Sequence, residues 1–99
     1  MKNKYIEKLE KTVLAVFMDE DVKIILFGSR ARKDNHITSD VDVGLIPRER
    51  LDKRKVLLLE EEVERLNIPY KVEIVDFSKT SANFRENAIK GAILWKDWN

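Results

Sequence analysis

The 99-residue chain carries 43% hydrophobic residues, which fits one small domain over residues 1–99 with a single core and argues against disorder. Charged residues reach 37%, against about 25% in average proteins, but 19 Lys plus Arg against 18 Asp plus Glu leave a formal net charge of +1. That balance argues against a direct nucleic-acid binder, which needs a basic excess, and the lack of cysteine excludes disulfides and thiolate zinc sites.

Residues 3–18 place Ile6, Leu9, Val13, Val16 and Phe17 at steps of three and four, the spacing of an amphipathic helix. Such a start reads as a charged helix rather than a signal peptide. Asp19, Glu20 and Asp21 form a polar turn, and the β-branched and apolar run 22–27 reads as a buried strand. Its apolar stretch 24–27 is far too short to cross a bilayer, so a cytoplasmic protein without membrane contact is expected. Gly28 and Ser29 stop the strand, residues 30–33 start a short helix, and residues 34–36 read as loop. Residues 40–46 alternate, with Asp40 and Asp42 on one face and Val41 and Val43 on the other, and Pro47 ends the strand. Residues 49–66 are expected helical, with Val56, Leu59, Val63 and Leu66 on one face and Asn67 and Pro69 as stop signals. A third strand is expected over 70–77. A last helix over about 82–90 has Ser78 or Ser81 as its cap and Gly91 as its stop, and residues 92–95 form either a brief strand or a packed tail.

This order predicts an α/β fold with a small mixed β-sheet and helices packed against it. The link between the first two strands is too short for a crossover helix, so they should be antiparallel. The helix between the second and third should make those parallel, with a right-handed crossover. The end of strand one and the starts of strands two and three then share one edge of the sheet. There Gly28 lets the chain turn sharply and a phosphate come close, while the amides after it and the Ser29 hydroxyl can donate to phosphate oxygens. Two carboxylates two positions apart on one strand face can share divalent ions, and Mg²⁺ takes such oxygen ligands together with substrate phosphates. A third carboxylate from the neighbouring strand would complete a two-metal site, with ions about 3.5–4 Å apart. Glu73 is favoured for it over Asp76, which lies three residues on and points to the opposite face.

Phe27-Gly28-Ser29-Arg30-Ala31-Arg32 followed by Ser39-Asp40-Val41-Asp42-Val43 resembles the signature of the DNA polymerase β-like nucleotidyltransferase superfamily: a Gly-Ser pair, ten intervening residues, then Asp-x-Asp. Ala31, Arg32 and Ser39 resemble the minimal nucleotidyltransferases in particular, and the resemblance covers nearly the whole chain. Two features depart from the pattern: Lys33 stands where many relatives have glycine, and Glu73 stands where the third carboxylate is often aspartate. The resemblance implies the polymerase β-like fold and transfer of AMP from ATP to an acceptor hydroxyl, with pyrophosphate leaving. Asp40, Asp42 and Glu73 would be catalytic and would hold two Mg²⁺ ions, and Gly28, Ser29, Arg30 and Arg32 would bind the nucleotide. It also implies a helical HEPN-family partner, as in toxin–antitoxin pairs where the nucleotidyltransferase adenylylates a tyrosine of the HEPN toxin and silences it. A non-catalytic nucleotide-binding subunit and transfer to a small-molecule hydroxyl are the alternative readings, and a homo- or hetero-oligomer is compatible with all three.

The remaining candidates have plainer readings. Arg30 and Arg32 either hold triphosphate or form surface ion pairs. His36 has no second histidine to build a metal site with, and Ser39 caps or orients the Asp40 turn rather than acting as a nucleophile. The basic residues over 48–55 are offset by Glu60, Glu61, Glu62 and Glu64, read as a solvated helix face with a Glu61 and Arg65 pair. Trp95 and Trp98 either cover the edge of the core or meet a partner.

Overall fold

The structure is a computed structural model that describes residues 3–28, 31 and 40–99. The short helix expected over 30–33 and the loop after it lie outside the described residues, Ala31 excepted. The Asn3 side chain caps helix α1 (Lys4–Phe17) by accepting from the amides of Tyr5 and Ile6, which satisfies two amides that have no partner inside the helix. The three-and-four spacing then puts Leu9, Val13 and Phe17 in the core, each fully buried.

Strand β1 (Val22–Phe27) has the expected bounds. It pairs antiparallel with β2 (Val41–Pro47), from Val22 opposite Pro47 to Phe27 opposite Asp42. Pro47 is thus the last residue of the strand rather than the residue after it. Helix α2 (Lys53–Arg65) starts four residues later than expected. Asp52 accepts from the Arg54 amide and sets the boundary as the N-cap, a role in which an aspartate side chain replaces a missing helical partner. Asn67, at φ 52°, ends the helix in the left-handed region, which asparagine tolerates better than most side chains. Arg65 pairs with Glu62 at 2.9 Å, one residue from the expected Glu61.

Strand β3 (Val72–Asp76) runs parallel to β2 and is shorter than expected at both ends. Tyr70 falls before it and accepts from the Asn3 side chain, while Phe77 opens a 3₁₀ turn (Phe77–Lys79). Ser81, one of the two expected caps, starts helix α3 (Ala82–Ile89), and Gly91 at φ 75° follows its end. Of the two readings of the last segment the strand is correct: β4 (Ile93–Lys96) pairs antiparallel with β1. The sheet order is β3-β2-β1-β4, the mixed sheet that the connection lengths predict.

The faces of the sheet are unequal. Val22, Ile24 and Leu26 of β1 join Val41, Val43 and Leu45 of β2, and these pack with α1 and with Leu59 of α2 into the main core. On the other face Ile25, Phe27 and Phe77 form a smaller cluster, bordered by Val75 and by Ala88 of α3. Period-two alternation assigns Asp42 and Glu73 to this second face. Trp95 packs against the main core. The Trp98 indole nitrogen donates to the Ile46 carbonyl at 3.0 Å, with Lys23 over its ring, so both tryptophans cover edges of the sheet.

Candidate nucleotide and metal site

Three strands deliver the site residues to one row. Phe27 lies opposite Asp42 across the antiparallel pair, and Asp42 lies beside Glu73 across the parallel pair. Adjacent strands are about 4.8 Å apart, so the two carboxylates are nearest neighbours on one face. Their placement follows from the core beneath them: Val41 and Val43 are fully buried, and with both valines held inward Asp42 must face the other way. Asp40 is exposed and immediately precedes β2, and the Val41 amide donates to the Lys71 carbonyl at 2.9 Å, which fixes the start of the ladder.

Gly28 closes the row. At φ 77° it occupies a backbone region that other residues enter at a cost, and a Cβ placed there would collide with the Asp42 carboxylate. The turn and the carboxylate are therefore packed together with no room for a side chain between them. Ser29, Arg30 and Arg32 lie outside the described residues, as do Lys33, His36 and Ser39.

Asp76 has a different occupation. It sits beside Leu45, toward the far end of the strand, and accepts from both the amide and the hydroxyl of Ser78 at 2.9 and 2.6 Å. It thus caps the 3₁₀ turn and lies three residues from the row of Asp42. Glu73 is about half exposed, with a carboxylate oxygen 3.4 Å from the Lys71 ammonium.

Among the described residues no group of three His, Cys, Asp or Glu side chains is gathered closely enough to hold a metal, so Asp40, Asp42 and Glu73 do not form a closed cage. The donors still suit a hard divalent ion, because all are oxygen. Mg²⁺ is commonly held by one or two carboxylates plus substrate phosphates rather than by an all-protein cage.

Two features of this face are not evident from the motif. Gly44, two residues after Asp42, lies against Phe77, and a Cβ there would come within 2.8 Å of the ring; a glycine inside a strand is the sequence signal of such an approach. Phe27, Phe77 and Phe84 meet edge to face, with centroids 5.2 to 6.1 Å apart, and build an aromatic wall beside the carboxylates. Phe77 follows a strand and Phe84 sits in a short polar helix, so no periodic pattern links them.

Residues 7–97 match the family described as "Polymerase beta, Nucleotidyltransferase". The chain is 33% identical over 76 residues to the "Probable protein adenylyltransferase MntA" of Haemophilus influenzae, covering 77% of this chain and 66% of that protein. It therefore spans just under two thirds of that relative's length. Among solved structures, a candidate minimal nucleotidyltransferase superposes with a TM-score of 0.71 at 23% identity, over 94% of this chain and 95% of the other. A toxin–antitoxin structure with AMP-PNP gives 0.67 at 21% identity, over 89% and 73%. A structure of a tri-AMPylated Shewanella oneidensis HEPN toxin in complex with MNT antitoxin gives 0.63 at 18%, over 92% and 71%. At these identities the structural likenesses establish the fold, and the family match spans both the Gly28 turn and the carboxylate row; the chain belongs to the polymerase beta nucleotidyltransferase family and has the fold of its minimal members.

Proposed function

We propose that the chain, as a single nucleotidyltransferase domain, transfers AMP from ATP to a hydroxyl, most specifically a tyrosine of a HEPN-family toxin, and so acts as its antitoxin. The observation that carries the reading is the row in which Gly28 abuts the Asp42 carboxylate and Asp42 neighbours Glu73. The similarity to MntA and the fold shared with MNT antitoxin complexes support the acceptor class. In the reaction the acceptor oxygen bonds to the α-phosphorus, the bond from that phosphorus to the bridging oxygen of pyrophosphate breaks, and the hydroxyl proton leaves to a base.

The residues take distinct parts. The Gly28 turn, with Ser29, would receive the triphosphate through amide and hydroxyl donors, and Arg30 and Arg32 would add charge to its oxygens. Asp40, Asp42 and Glu73 would hold divalent ions, two Mg²⁺, which when bound supply charge neutralisation on the phosphates and acidify the attacking hydroxyl. Glu73, whose carboxylate also pairs with Lys71, would help to remove the hydroxyl proton. Alignment of the acceptor is left to the partner, since holding two reactants in line can contribute several kcal/mol.

Incubating the chain with Mg-ATP and the HEPN protein encoded alongside, followed by mass spectrometry, tests the reading. The expected result is added AMP on a HEPN tyrosine, lost in Asp42→Asn and suppressed in Glu73→Gln, with Asp76→Asn unaffected. A partner that binds tightly but stays unmodified would favour the non-catalytic subunit instead.

A further inference from the structure

One acid of the carboxylate row, Glu73, holds a cation of its own chain: the Lys71 ammonium lies 3.4 Å from a Glu73 carboxylate oxygen. We infer that Lys71 is a resident counter-ion of the row, which pairs with Glu73 until a divalent ion takes that carboxylate and so weakens the chain's hold on an ion that arrives without phosphates. The inference rests on the metal reading above and goes beyond it by naming a residue that opposes metal binding.

Three observations carry it. The first is position. Lys71 and Glu73 are two residues apart on β3 and its approach, and residues at that spacing face the same way, so the lysine stands on the face that carries Asp42 and Glu73. The register that sets Asp42 beside Glu73, continued one pair back from Val41 and Val72, sets Asp40 beside Lys71. The bond from the Val41 amide to the Lys71 carbonyl fixes the lysine backbone there. Asp40, Asp42, Glu73 and Lys71 thus form a square of three acids and one base. The second observation is that the acids are not drawn together: among the described residues no three acidic side chains converge, and the Glu73 carboxylate is turned to Lys71. The third is exposure. The two side chains are 69% and 48% exposed, and an exposed ion pair is worth little in water, so it is readily exchanged for a stronger one. A divalent ion attracts the carboxylate with twice the charge, and the flexible four-carbon stem of lysine lets the ammonium swing aside while its backbone stays in place. An ion that comes with a triphosphate brings further oxygen ligands and displaces the ammonium more readily than a free ion does.

Titration of the whole chain with Mn²⁺ alone, followed by loss of the free ion's electron paramagnetic resonance signal, tests this role without any turnover. Lys71→Met is expected to tighten Mn²⁺ binding about two- to tenfold, since a divalent ion doubles what one exposed charge pair supplies. Lys71→Gln should do the same and carries the test if the methionine variant does not fold. Lys71→Arg keeps the charge and should stay within about twofold of the wild type. Lys8→Met removes the same charge from α1, which packs on the opposite face of the sheet, and should also stay within about twofold. The gain from Lys71→Met should shrink as salt is raised, because salt screens exposed charges. Unchanged or weaker Mn²⁺ binding in both Lys71→Met and Lys71→Gln, an equal gain in Lys8→Met, or a gain that salt does not reduce would overturn the counter-ion and leave the metal reading standing. If neither the wild type nor Lys71→Met takes up Mn²⁺, the metal reading falls and the counter-ion with it.

Discussion

The two faces of the sheet are built from the same strands and serve opposite ends. On the face covered by α1 and α2, the fully buried Leu9, Val13, Phe17, Ile24, Val41, Val43, Leu45 and Leu59 fill the space, with nothing polar among them. On the face covered by α3, Ile25, Phe27 and Phe77 are the buried members of the cluster among the described residues, and the same face carries Asp42, Glu73, a glycine turn and a half-exposed phenylalanine. The contrast teaches that a domain of this size concentrates its stability on one face and thereby leaves the other open enough to admit a substrate.

Substitutions on each face should break in different ways. The largest loss is expected for Phe17→Ala on the closed face, about 3–5 kcal/mol for a fully buried aromatic, which is a large part of the roughly 5–15 kcal/mol that holds a domain together. Urea denaturation should show a markedly lower midpoint. Asp42→Asn, on the open face, should lower AMP transfer about a hundredfold or more while moving the urea midpoint much less than Phe17→Ala does. A large stability loss there would mean that Asp42 serves the fold rather than a site.

Gly44→Ala joins the two kinds of damage. Its Cβ would press on Phe77 and on Ile25 of the adjacent strand, and overpacking of this kind costs about 1–3 kcal/mol. Because Phe77 belongs to the aromatic wall beside Asp42, the melting temperature and the transfer rate should fall together. The smallest effect is expected away from both faces: Arg65→Ala removes the exposed pair with Glu62 and should change stability by about 0.5 kcal/mol or less, within the scatter of thermal melts.

The closed face is the more legible of the two in sequence. Its residues recur at three-and-four spacing in α1 and α2 and as β-branched runs in β1 and β2, so local pattern and tertiary burial agree. The Asp42 face is legible only where chemistry concentrates it, in the Gly-Ser and Asp-x-Asp spacing. The partnership of Phe77 with Gly44, and of Phe84 with Phe27, joins segments far apart in the chain, and no local period records it. The early start expected for α2 failed for a local reason: residues 49–52 suit a helix in composition, but the Asp52 side chain turns back to cap it. The pairing of β4 with β1 is likewise a long-range fact, carried by four residues whose own composition fits either a strand or a tail.

The alternation of β2 also makes the fold its own proofreader. A slip of one residue in its pairing with β1 or β3 would turn every side chain to the opposite face, driving Asp42 into the closed core and expelling Val41 and Val43 into solvent. The apolar penalty of that error falls on the valines, and the charge penalty on the aspartate, so the two rows reject it jointly. Any chain that reaches the stable sheet has therefore already set its carboxylates in register with the Gly28 turn, and assembly of the core doubles as a fidelity check on the site.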